Sequence, residues 1–174
     1  MAAVKAAGAL ALPVKTAADL AKVDGLIIPG GESTTIGKLL RKFGLRDEII
    51  KRAEKHLPIY GTCAGAILLA KKIAGYQKAD ALGLMDIEIE RNAYGRQIDS
   101  FETDISFDFG GHKRKIPAIF IRAPKITSVG KSCKILARYK NGIVAVKEKN
   151  FLVTTFHPEL TEDLSVHKFF IEMC

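Results

Sequence analysis

A chain of 174 residues has room for one ordinary core and not for two, and 48% hydrophobic with 26% charged residues excludes a disordered, collagen-like or coiled-coil protein. Twenty-seven basic against 19 acidic residues give a net charge of +8, which by itself leaves nucleic acid, an acidic protein or a small anion open as partners. Cys63, Cys133 and Cys174 show no paired spacing, so neither a disulfide framework nor a metal site is indicated; a reducing cytoplasm is expected, with neither a signal peptide nor a membrane span.

In chain order, Ala2–Ala7 reads as the end of a helix closed by Gly8, where a doubly wound fold would open with a strand; the first βα unit is expected to be missing. The spacing then predicts a strand over Ala9–Val14, a short helix over Ala17–Lys22, a strand over Gly25–Ile28 and helices over Thr34–Phe43 and Arg46–Lys55. Pro58–Tyr60 follows as a strand and Ala64–Ile73 as a helix, and this alternation implies βαβ units with helices on both faces of a parallel sheet. From Met85 the pattern changes. Asp86–Arg91 alternates polar and apolar residues, and Phe101–Phe107, Ala118–Arg122, Lys134–Tyr139, Ile143–Lys147 and Leu152–Phe156 read as strands between Gly, Pro and Asn turns, richer in antiparallel pairing. Asp163–Met173 closes the chain as an amphipathic helix whose apolar positions are Leu164, Val166, Phe169, Phe170 and Met173. Without repeats or linkers, residues 1–174 form a single domain.

Gly61-Thr62-Cys63-Ala64-Gly65 places a cysteine on a turn between a predicted strand and an apolar helix, the cysteine version of a nucleophile elbow. Such a turn holds the side chain out from the sheet, its flanking glycines avoid clashes, and the N–H of Ala64 can receive an oxyanion. The plainer reading is a small buried cysteine in a tight turn. Of four histidines, His56 at a basic helix end and His112 in the polar 110–115 loop read as solvated, and His167 as an edge position of the last helix. His157 ends an apolar strand and is followed by Pro158 and Glu159, so the carboxylate can orient the imidazole. A helix-entry turn with Glu159 as a first-turn acid is the alternative. With the elbow, the residues compose a Cys63/His157/Glu159 triad.

Pro29-Gly30-Gly31-Glu32-Ser33-Thr34-Thr35 runs from a strand into a helix through a double-glycine turn. A phosphate loop would need Lys directly before Ser33, where Glu32 stands, so an oxyanion wall fits better, Gly31 N–H facing Ala64 N–H across the sulfur. The alternative is a helix start capped by Ser33. Lys113-Arg114-Lys115 reads as a solvated hairpin tip, which gives no support to nucleic-acid binding.

These residues resemble the class I (triad) glutamine amidotransferases, and within them the family of glutaminase subunits of pyridoxal 5′-phosphate synthases. The likeness runs from about Gly25 to the C-terminus. It rests on the two glycine turns with Ile67-Leu-Leu-Ala-Lys71, and on Leu82-Gly-Leu-Met-Asp-Ile87, Glu90-Arg-Asn-Ala-Tyr-Gly-Arg96, Ser100-Phe-Glu102, Phe120-Ile-Arg-Ala-Pro124 and Phe156-His-Pro-Glu-Leu-Thr161. The resemblance implies a three-layer flavodoxin-like α/β fold with a central, mostly parallel sheet. It implies hydrolysis of L-glutamine through a thioester on Cys63, with His157 as acid and base and Glu159 as its partner. It assigns Gly31, Glu32, Ser33, Arg91, Ile121 and Arg122 to glutamine binding. It further implies no cofactor, and a separate synthase subunit that receives the ammonia. The family opens with a further strand and loop that have no counterpart here, so a catalytically silent docking subunit and a stand-alone cysteine amidohydrolase are the alternatives.

Overall fold

The computed structural model describes residues 1–74, 80–91 and 100–174. The first part of the chain folds as α1 (Ala2–Ala6), α2 (Ala17–Leu20), β1 (Leu26–Ile28), α3 (Ser33–Lys42), α4 (Leu45–Glu54), β2 (Ile59–Thr62), α5 (Ala64–Leu69) and β3 (Ala70–Ala74). The second is strand-rich: β4 (Met85–Glu90), β5 (Ser100–Asp108), β6 (Lys113–Ile121), β7 (Lys125–Val129), β8 (Lys134–Tyr139), β9 (Gly142–Glu148) and β10 (Phe151–Thr154). A 3₁₀ turn at Pro158–Leu160 and α6 (Ser165–Ile171) complete it. Among the described residues no helix is long and apolar enough to cross a membrane.

The strands join one sheet in the order β1-β2-β10-β9-β7-β4-β3, with β8 beside β9 and the β5/β6 hairpin beside β8. β1, β2 and β10 are parallel, as are β3 and β4; the remaining pairings are antiparallel. All four residues of β2 and of β10 are buried, as central strands covered on both faces require, which is why both read as continuous apolar runs. Alternation along them feeds two cores. Ile59, Phe151 and Val153 pack with Leu20, Leu45, Ile49 and Leu68 beneath α2 to α5. Tyr60 and Leu152 face the other side, with Phe107, Phe120, Phe156, Val166 and Phe170 between the antiparallel strands and α6. The short α2 is held by a capping box in which Asp19 N–H donates to Thr16 Oγ1 and Thr16 N–H to the Asp19 carboxylate.

Four expectations need correction. Residues 9–14 do not form a strand. A strand exists only through its ladder, and among the described residues none pairs with this segment, whose Leu10 and Leu12 are 94% and 54% exposed. The helix expected over 64–73 stops at Leu69, and Ala70 turns extended to open β3, because a short apolar run does not distinguish a buried helix from a strand. The 113–115 run is the start of β6, which continues through Pro117; among the described residues β6 pairs with β5 alone, and an edge strand tolerates a missing N–H. Arg114 there pairs with Asp163 at 2.7 Å. β7 was not anticipated, since Lys125-Ile-Thr-Ser-Val129 is mostly polar and buries only Ile126.

Candidate active site

Cys63 occupies the single residue between β2 and α5, with φ 48 and ψ −100. That conformation is strained for any residue with a Cβ, and it is held by the surroundings. The Cys63 N–H donates to the Thr154 carbonyl at 2.8 Å, which ties the turn to β10. The glycines on either side are required by close approach. A Cβ on Gly61 would lie 2.5 Å from the Gly65 carbonyl carbon, and one on Gly65 2.1 Å from the Ile28 carbonyl oxygen. The turn is thus pinned between β1 and β10, with Cys63 buried at 8% exposure.

β10 delivers the second member. His157 follows two residues after Thr155, its N–H donating to the Ile119 carbonyl at 2.8 Å, and Pro158 starts the 3₁₀ turn. The turn brings Glu159 Oε1 to 2.7 Å from His157 Nδ1. His157 is pushed up to about 9, first by its hydrogen bond with Cys63, then by that with Glu159, against the opposing effect of burial. Burial pushes the Glu159 carboxyl up, but the hydrogen bond with His157, a backbone hydrogen bond and the nearby His157 and His167 rings together hold it below the usual value. The imidazole therefore carries its proton at neutral pH, between a sulfur and a carboxylate.

The β1–α3 loop closes over this pair. A Cβ on Gly30 would meet His157 Cε1 at 2.4 Å, so the loop lies directly on the imidazole. Gly31 takes φ 139, open to glycine. Glu32 is the N-cap of α3 without a side-chain cap bond, its carboxylate instead accepting from Thr34 Oγ1 at 2.9 Å; Ser33 is the buried first residue of the helix. The alternative of a helix start capped by Ser33 does not hold, since the N-cap position is Glu32. Ile119 binds the His157 backbone, and two residues further β6 ends at Ile121, followed by the exposed Arg122 at φ 44. Arg91 follows β4, whose Glu90 is paired with Lys125 just beyond Arg122. The 92–96 part of that motif lies outside the described residues.

The family model of the SNO glutamine amidotransferase family matches residues 1–174. The chain belongs to that family. Curated relatives agree. Pyridoxal 5′-phosphate synthase subunit PdxT of Pseudothermotoga lettingae is 55% identical over 160 residues, 92% of this chain and 81% of that protein. PdxT of Thermotoga petrophila is 51% identical over 166 residues, covering 95% and 87%. A crystal structure of a glutamine amidotransferase superposes with a TM-score of 0.93 at 44% identity, over 99% of this chain and 90% of that one. The PurLQS structure from Thermotoga maritima, at 18% identity, TM-score 0.65 and coverage of 84% and 78%, shares the fold.

Within this SNO-family chain two residues escaped the sequence reading. Gly30 stood in the double-glycine turn, yet only the packing reveals that a side chain there would collide with His157. His167 was expected at the edge of α6, whereas it is 3% exposed. His56 and His112 are exposed, as expected.

Proposed function

We propose that this chain is the glutaminase subunit of a pyridoxal 5′-phosphate synthase, hydrolysing L-glutamine to L-glutamate and ammonia through a γ-glutamyl thioester on Cys63. The observation that carries the reading is the strained Cys63 turn facing the His157 imidazole, which Cys63 and then Glu159, at 2.7 Å from Nδ1, push up to about 9. In this scheme the proton already resides on His157. The sulfur adds to the amide carbon, and the oxyanion is received by the N–H groups of Gly31 and Ala64. His157 passes its proton to the departing nitrogen as the C–N bond breaks, releasing ammonia. It then takes a proton from water, whose hydroxide adds to the thioester and returns Cys63 and glutamate. Arg91 and Arg122 supply cations for the substrate α-carboxylate, Glu32 an acceptor for its ammonium, and Ser33 and Ile121 line the same end. The relatives' name, pyridoxal 5′-phosphate synthase subunit, supports work beside another subunit of that synthase, and to it we assign receipt of the ammonia, in the cytoplasm.

Glutamate release measured with and without the synthase subunit tests this. Turnover should rise on adding the partner, vanish in Cys63→Ala, and be blocked by an electrophilic glutamine analogue attached to Cys63. Undiminished turnover in Cys63→Ala would overturn it.

A further inference from the structure

The triad's third member is only half used. Glu159 Oε1 holds His157, but Oε2 is fully buried and has no hydrogen-bond partner among the described residues. A buried carboxylate oxygen left unpaired is strongly disfavoured, the more so when the group must stay ionised. A second orphan lies in the same wall: Nδ1 of His167, also fully buried and unpartnered among those residues. The His167 ring stands edge-on to Tyr60 at 6.3 Å and 78°. Tyr60 lies three residues before Cys63 and bonds Thr154 Oγ1 at 2.9 Å, and Thr154 is the residue whose carbonyl holds the Cys63 N–H. His167 thus backs the strands that carry the triad.

We infer that His167 is a positioning residue for the reaction, donating from Nδ1–H to a water shared with Glu159 Oε2, so that Oε1 stays fixed on His157. The two orphans are complementary: a carboxylate oxygen only accepts, and a neutral imidazole has one N–H to give. Burial holds the His167 imidazole below its ordinary range and outweighs the opposing Glu159 carboxylate, while the Met1 amino group acts in the same direction as burial, so the ring is neutral at pH 7. A neutral donor steadies the carboxylate without competing with His157 for its charge. The arrangement is a second shell of the kind that fixes ligand geometry elsewhere.

This inference rests on Cys63 being the nucleophile, and its test separates the two. In the folded chain, ¹⁵N shifts of His167 should show the proton on Nδ1; an unprotonated Nδ1 at neutral pH overturns the proposal without any variant. His167→Phe keeps the ring against Tyr60 and removes the donor. With the synthase subunit present, it should lower kcat about tenfold with KM for glutamine unchanged, and move the His157 NMR titration down from about 9. His167→Asn, which restores an N–H near Nδ1, should recover most of both. Wild-type kcat and titration in the Phe variant, or an Asn variant no better than Phe, would overturn it. The titration needs no turnover, so it decides the role of His167 even if the glutaminase reading fails.

Discussion

Gly65→Ala places the fold and the proposed chemistry in direct opposition. The added Cβ would sit 2.1 Å from the Ile28 carbonyl oxygen, with the Ile28 carbonyl carbon at 3.0 Å and its Cβ at 3.2 Å. The neighbour is strand backbone and not a mobile side chain, so α5 and β1 must separate by about 1 Å to reach a tolerable contact. Both partners carry parts of the site. Gly65 is two residues from Cys63, and Ile28 leads directly into the Pro29–Gly30–Gly31 turn that lies on His157. A displacement of about 1 Å between nucleophile and oxyanion wall corresponds to roughly a hundredfold loss of kcat. Overpacking of this kind destabilises by about 1–3 kcal/mol, or roughly 2–10 °C in Tm for a domain of this size. Glutamate release with saturating synthase subunit and a thermal melt read the two effects. Gly44→Ala is the control: φ 68 with open space around it predicts a loss of about 1 kcal/mol and unchanged kcat. A Gly65→Ala variant with kcat within about twofold of wild type would refute the claim that this contact sets the site's geometry.

Glu159→Gln keeps the shape and removes the charge. The loss of a charged hydrogen bond, about 1.5–3 kcal/mol, should lower kcat by roughly ten- to a hundredfold and shift the His157 titration from about 9 toward its ordinary 6.5, read by NMR. Because the folded state raises His157, the stability it contributes is fully present below about pH 6.5 and is lost as pH rises through about 9. Urea unfolding at pH 7 and pH 10 should show that decline in wild type and a smaller one in His157→Gln. Glu148, buried, accepts from Asp86 N–H at 2.6 Å and from the Ser132 hydroxyl, so Glu148→Leu should destabilise by roughly 2–3 kcal/mol while leaving Cys63 alkylation unchanged.

Elements whose formation depends on local pattern were legible in the sequence. α3 and α4 carry clear helical periodicity, and β8 lies over 134–139 as read. What failed depended on partners distant in sequence. Residues 9–14 are as apolar as β1, but an apolar run becomes a strand only when a neighbouring ladder satisfies its N–H and C=O groups. β7 made the opposite error possible: its residues are polar, yet β4 and β9 on either side provide the ladder that holds it. Pro117 marked a boundary in sequence, and only the edge position of β6 removes that penalty.

The site divides along the same line. Cys63, His157 and Glu159 were readable because each sits at a strand end with its own local turn chemistry, and the two strands, β2 and β10, are adjacent and parallel, so their C-terminal ends necessarily meet. His167 has no such local signature. On α6 the stripe Val166, Phe169, Phe170 and Met173 puts it at the margin, and a lone helix would leave it wet. It is buried with its ring edge-on to Tyr60 of the central strand β2, 6.3 Å between centroids. A residue that packs against a strand more than 100 positions away leaves no trace in its own neighbourhood. Groups packed behind the proposed triad are therefore the ones a sequence reading misses first, even where the turns that carry Cys63, His157 and Glu159 are plain.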